Sequence, residues 1–90
     1  VIPFVYYLRF QVFEAKKDYQ AAAENLEVIV QNYSYALWTD RAIYDLALLY
    51  DYKLNNKAKA AECYKKILFD FQGSVFTEPS RKRYRELSGI

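Results

Sequence analysis

Apolar positions recur three and four residues apart along most of this 90-residue chain, the spacing of one face of a helix and not of a strand. The first helix is expected from about Pro3 to Ala15, with Pro3 in the first turn, where its missing N–H costs nothing. Tyr6, Phe10 and Phe13 keep helical spacing, yet Val5, Leu8 and Val12 are apolar too. A helix apolar nearly all round is normally buried on several sides. The remaining chain offers too little to cover it, so a preceding helix pair or a second copy of the protein is the expected cover. The second helix starts after Asp18, whose carboxylate can accept from free first-turn N–H groups. Its stripe is Tyr19, Ala22, Ala23, Leu26, Ile29, Val30 and Tyr33, with Glu24 and Glu27 expected to face water. The short Lys16-Lys17 connection predicts close antiparallel packing of these two helices, and Asn32-Tyr33-Ser34-Tyr35 ends the second.

A third helix is expected from Thr39 or Asp40 to Lys53, with Ile43, Leu46, Ala47, Tyr50 and Leu54 on one face and Tyr44 and Leu48 on another. After the loop Leu54-Asn55-Asn56, a fourth helix runs from Lys57 to Phe71, capped near Asn56. It carries the stripe Ala60, Ala61, Tyr64, Ile67, Leu68 and Phe71. Gln72-Gly73-Ser74 ends it, with Gly73 free to take the left-handed conformation common at such ends. The last helix is expected from Glu78 to Ser88, with Thr77 as cap and Pro79 in its first turn. Phe76, Tyr84 and Leu87 are its apolar contacts, whereas Arg81, Lys82, Arg83, Arg85 and Glu86 cover the rest. That polarity suits a lid on the end of a stack.

The second half repeats the first. A shift of 38 positions carries Ala22-Ala23-Glu24-Asn25-Leu26 onto Ala60-Ala61-Glu62-Cys63-Tyr64. The same shift carries Ile29 onto Ile67, Val30 onto Leu68, Asn32 onto Asp70, Tyr33 onto Phe71, Trp38 onto Phe76 and Thr39 onto Thr77. Self-similarity at a fixed period of this size marks a repeat array. Helices three and four resemble the tetratricopeptide repeat, with pattern W-x2-L-G-x2-Y, then A-x3-F and a final P. Ile43, Leu46, Ala47 and Tyr50 stand in the first four places. Beyond a loop one residue longer than usual, Ala60, Tyr64 and Ile67 stand in the next buried places, as Ala22, Leu26 and Ile29 do in the earlier unit. The first helix departs, with Arg9 at the Leu place and Phe10 at the small one, and Ser34 and Gln72 replace the terminal Pro. The phrases Val30 to Ser34, Leu68 to Ser74 and Ser80 to Leu87 are similar to the ends of bacterial repeat proteins, some of them envelope lipoproteins that assist outer-membrane protein assembly. The resemblance implies an all-α solenoid: repeat 1 over about 3–34, repeat 2 over about 39–72 and a capping helix over about 77–88, in one domain spanning 1–90. It leaves the compartment open between the periplasmic side of a bacterial envelope and the cytoplasm.

In that family the first helix of each pair lines a groove that takes a peptide or partner helix. Carried over by position, the lining is Phe4, Tyr7 and Gln11, then Arg41, Tyr44, Leu48, Asp51 and Tyr52, then Lys82. The paired Lys and Asn carboxylate clamp of chaperone-binding members has no counterpart at these positions. Such a module implies a protein or peptide partner, no cofactor, and self-association through the N-terminal helix. Roughly two and a half repeats is below the three or so that usually stand alone.

Composition changes the picture in several respects. Hydrophobic residues make up 53% of the chain and aromatic residues 19%, which excludes disorder; ten Tyr and six Phe against two Gly and two Pro favour long elements. No apolar run approaches a membrane span of about 20 residues, and the opening Val1 to Leu8 lacks the basic start of a signal peptide. The chain contains no Met, as expected of a segment of a longer protein. Enzyme chemistry is not expected. No His is present, Cys63 lies mid-helix with no base beside it, and the two glycines, Gly73 and Gly89, make no phosphate loop. One Cys also excludes an internal disulfide. Net charge is +2, split into −3 over residues 1–51 and +5 over residues 52–90. The cluster Arg81, Lys82, Arg83 and Arg85 supports a second reading, phosphate contact with nucleic acid and Tyr84 stacking on a base, against which Glu78 and Glu86 flank the cluster.

Overall fold

The computed structural model describes residues 2–32 and 39–89, and among these every regular element is helical. Helix α1 (Ile2–Ala15) and α2 (Tyr19–Asn32) form the first pair. Helix α3 (Thr39–Leu48) runs directly into a π-helical turn (Leu49–Lys53) and pairs with α4 (Lys57–Asp70); α5 (Thr77–Ser88) follows. The principal packing joins consecutive helices. The molecule measures 36 × 26 × 18 Å, and its shortest dimension is that of two layers of helices, each about 10 Å across.

The core follows the apolar stripes. Ala22, Ala23, Leu26 and Ile29 of α2, Ala42, Ile43, Leu46 and Ala47 of α3, and Ala60, Tyr64 and Ile67 of α4 are all buried. The alanines let helix axes approach closely, and the large residues fill the space between them, so a Leu26→Ala cavity would cost about 2–5 kcal/mol. Tyr84 and Leu87 of α5 pack against this core from its far end. The buried Ser80 hydroxyl finds no hydrogen-bond partner among the described residues.

Helix ends correct several expectations. Asp18 and Asn56 do cap their helices, their side chains accepting from Ala21 N at 3.3 Å and Lys59 N at 3.2 Å. Thr77 does not cap α5: its hydroxyl donates to the carbonyls of Phe71 and Gln72, tying α5 to the end of α4. The left-handed glycine is Gly89 (φ 73°), closing α5, and not Gly73. Glu27 does not simply face water, because it accepts from the Tyr50 hydroxyl at 2.6 Å and so links the two pairs. The expected break over Tyr33 to Tyr35, and Trp38, lie outside the described residues.

The residue that lengthens the second unit sits inside the helix and not in its loop. Lys17 (φ 64°) and Asn55 (φ 53°) turn left-handed at equivalent helix ends, 38 residues apart. Tyr7 and Tyr44, however, are equivalent at 37: Tyr7 reaches forward to α3, and Tyr44 stacks on Phe76 at the start of α5. The offset is absorbed by the π turn, where Leu54 N donates to Leu49 O at 2.8 Å, five residues back. One inserted residue rotates the following side chains by roughly 100° from their α-helical places.

Candidate functional site

Helices α1, α3 and α5 present their side chains to one face. On α3, Arg41, Tyr44, Asp45 and Leu48 lie three or four residues apart and so share one side of the helix, and Tyr52 of the π turn borders the same cleft as Tyr44 and Leu48. Two adjoining clefts form there. One is lined by Phe4, Tyr7, Gln11 and Arg41; the other by Tyr44, Leu48, Tyr52 and Tyr64 below, with Pro79, Lys82, Arg83 and Glu86 on the α5 side. Eight of the nine positions expected to line a groove therefore border one cleft or the other. The ninth does not. Asp51 is 1% exposed and belongs to the interior, because the π turn rotates it off the groove face.

Tyr7 joins the first pair to the second. Its hydroxyl donates to Asp45 Oδ2 at 2.6 Å and accepts from Arg41 Nε at 3.1 Å. Burial, reinforced by the Asp45 carboxylate, pushes the phenol up to about 12, so it stays a donor across the physiological range. Burial also raises the Asp45 carboxyl, against the opposing pull of Tyr7 and Arg41. Arg41 itself is largely exposed, lies 3.8 Å from Asp45 and is held by its bond to the Tyr7 hydroxyl.

Asp51 anchors the other end of the face. Arg83 grips it with two parallel bonds, Nε to Oδ2 at 2.7 Å and Nη2 to Oδ1 at 2.9 Å. Lys57 Nζ donates to Oδ1 at 2.7 Å and to the Asp51 carbonyl at 2.5 Å, and the Tyr64 hydroxyl donates to Oδ2 at 3.0 Å. The Arg83 bonds, supported by Lys57 and Tyr64, hold the carboxyl far below the ordinary carboxylate range despite its burial. The same bonds raise Arg83, and burial with Asp51 raises the Tyr64 phenol. Tyr52, 60% exposed, roofs the cluster with Arg83 and Lys57 at 5.3 and 5.4 Å from its ring centre, within reach of cation–π attraction.

This cluster also redistributes the basic residues of α5. Arg83 is committed to Asp51 and Glu86, and Arg81 pairs with Glu78. Lys82 and Arg85 are exposed and have no ion pair among the described residues. Tyr84 is half-buried and packs against the core.

Sequence reasoning missed the Asp51–Arg83–Lys57–Tyr64 cluster. Its members are 6, 13 and 32 positions from Asp51, and only the turn from α4 into α5 brings Arg83 back to the end of α3. The available signal was an acidic residue between Tyr50 and Tyr52 in an otherwise apolar stretch, in a chain with nine basic residues after it. Among the described residues no group of three His, Cys, Asp or Glu could hold a metal ion, and no helix is long and apolar enough to cross a membrane. Burial, with Glu27 nearby, pushes the Cys63 thiol up to about 12, the opposite of an activated nucleophile. Comparison with protein-family models, curated proteins and solved structures finds no match.

Proposed function

We propose that this chain is a protein-interaction module of the tetratricopeptide type, whose inner face of α1, α3 and α5 takes an extended peptide or partner helix. The observation that carries this reading is the gathering of Phe4, Tyr7, Gln11 and Arg41 in one cleft and Tyr44, Leu48, Tyr52 and Lys82 in the next. Rigid aromatic walls supply contact area at low entropic cost. Arg41 and Lys82 supply two exposed cations, so an acidic and apolar peptide fits best. Binding, and not catalysis, is the role this chemistry supports. The module serves as a scaffold, alone or as the end of a longer repeat array, either in the cytoplasm or on the periplasmic side of a bacterial envelope. Nucleic-acid contact through α5 is the weaker reading, since Arg81 and Arg83 already hold carboxylate partners.

A peptide library selected against the chain tests this. Enrichment of acidic, apolar peptides whose binding is lost in Phe4→Ala and Lys82→Glu is expected, both changes lying at exposed positions. Peptides that bind both variants as well as the parent would remove the inner face as the site.

A further inference from the structure

The two clefts of the inner face are built alike and satisfied differently. In the first unit the Tyr7 hydroxyl donates to Asp45 at 2.6 Å and accepts from Arg41 at 3.1 Å, so phenol, carboxylate and guanidinium are joined. The next unit carries the same phenol, Tyr44, 37 positions on. The α5 positions 38 beyond Asp45 and Arg41 hold Arg83 and Pro79, so a cation stands where the first unit has its acceptor. The Tyr44 ring is fixed by stacking on Phe76, with 4.8 Å between ring centres. Its hydroxyl has no hydrogen-bond partner among the described residues.

The rest of that cleft is rich in donors and short of acceptors. Tyr52 and Lys82 also line it, and neither the Tyr52 hydroxyl nor the Lys82 ammonium has a hydrogen-bond or ion-pair partner among the described residues. Arg83 is held by two bonds to Asp51 and one to Glu86, so its charge is in place before any ligand arrives. Among the described residues lining the cleft, Glu86 is the one carboxylate, and it already accepts from Arg83 Nη1 at 3.0 Å. Burial and the neighbouring Tyr52 raise the Tyr44 phenol, which therefore stays a donor at neutral pH. The cleft encloses about 260 Å³, less than a site for a drug-sized ligand and enough for one head group.

We infer that the Tyr44–Tyr52–Lys82 cleft is a binding site for a phosphoryl group, the dianionic head of a phosphorylated serine or threonine in the peptide that the inner face takes. Such a group supplies what the cleft lacks, acceptor oxygens and a charge of about −2, against three unpartnered donor groups and the fixed charge of Arg83. It does for Tyr44 what the Asp45 carboxylate does for Tyr7. Tyr52 is 60% exposed and Lys82 is exposed, so these donors lie near the rim, within reach of a short serine or threonine stem. A nucleic-acid phosphate carries one charge and needs a track of cations, whereas Arg81 on the same helix is paired with Glu78. The inference rests on the reading of the inner face as a peptide site, and its test separates the two.

The test uses the 90-residue chain and two peptide pools of random sequence, one with a central phosphoserine and one with serine, alongside O-phosphoserine alone. The phosphoserine pool should bind roughly ten-fold tighter than the serine pool, and O-phosphoserine should shift the amide signals of Tyr44, Tyr52 and Lys82. Lys82→Ala should abolish that advantage and Tyr44→Phe should cut it roughly three-fold. Both variants keep the packing, because Tyr44→Phe retains the stacked ring and Lys82 is exposed. Pools that bind equally well would overturn the phosphoryl site and leave the peptide groove standing. Signals shifted by O-phosphoserine while neither pool binds would keep the phosphoryl site and overturn the groove. Neither shift nor binding would overturn both. Displacement of O-phosphoserine by a single-stranded oligonucleotide, stronger as salt falls, would overturn the peptide assignment in favour of nucleic acid.

Discussion

Asp45 and Asp51 lie six residues apart on one helical rod, and their surroundings move them in opposite directions. Asp51 is the more deeply buried, yet its carboxyl is pulled far down; Asp45 keeps 20% of its side chain exposed, yet its carboxyl is pushed up. Burial alone would raise both. The difference lies in the donors. Asp45 receives one phenol and a loosely held guanidinium, whereas Asp51 receives a two-bond guanidinium, an ammonium and a phenol. A buried carboxylate is held ionised when charged donors saturate its oxygens, and the cost of desolvation is offset only then. The pair also divides the labour of the face. Asp51 locks α5 onto α3 and α4, while Tyr7 of α1 joins Asp45 and Arg41 of α3 in a partly exposed contact between the pairs.

Removing the saturated carboxylate should have the largest effect. Asp51→Ala leaves Tyr64 without an acceptor and frees two cations that can reach water, so a loss of about 3 kcal/mol is expected, at the low end for a broken buried pair. Urea unfolding would show it, and a loss below about 1 kcal/mol would mean that the cluster is not a clasp.

Acid should then separate the two carboxylates. Asp51 has a folded value below its unfolded value of about 3.9, so its stabilisation is complete above that value and is lost as pH falls through it toward the folded value. Asp45 has a raised folded value, so the folded state takes up its proton first and acidification relieves its burial cost. The stability gap between the parent chain and Asp51→Asn should therefore shrink between pH 5 and pH 2, about the range set by the unfolded carboxyl. A gap that is flat across that range would contradict the depressed value.

Smaller changes sharpen the contrast at the other end of the rod. Tyr7→Phe removes the bond between the pairs and leaves Asp45 without its phenol donor, at about 1 kcal/mol for a half-exposed charged bond. Asp45→Asn keeps an acceptor for Tyr7 and removes a partly desolvated charge, so thermal unfolding should move by no more than about 0.5 kcal/mol. A larger loss there would show that Asp45, too, is a structural anchor.

Much of the architecture was legible in the chain because helix formation and packing depend on local spacing. Ala22, Ala23, Leu26 and Ile29, and Ala60, Tyr64 and Ile67, announce their buried faces by period alone, and all are buried. The caps at Asp18 and Asn56 are equally local. The π turn was not legible. Its extra residue counts the same in a loop or in a helix, and only hydrogen bonding decides where it is absorbed. The family's positions, carried over, put Asp51 on the groove beside Leu48 and Tyr52; they presume an unbroken α-helix, whereas Asp51 lies in the π turn and is buried.

The sequence by itself determined the helices, their order, the repeated stripes and the apolar character of α1, since each rests on residues within a few turns of one another. The tertiary structure decided which charges are partners. Arg83 reads as a phosphate-binding cation in sequence and proves to be the partner of a carboxylate 32 positions away. The physical reason is that an ion pair depends on distance in space, and distances in space between non-neighbouring helices are set by how the whole stack closes.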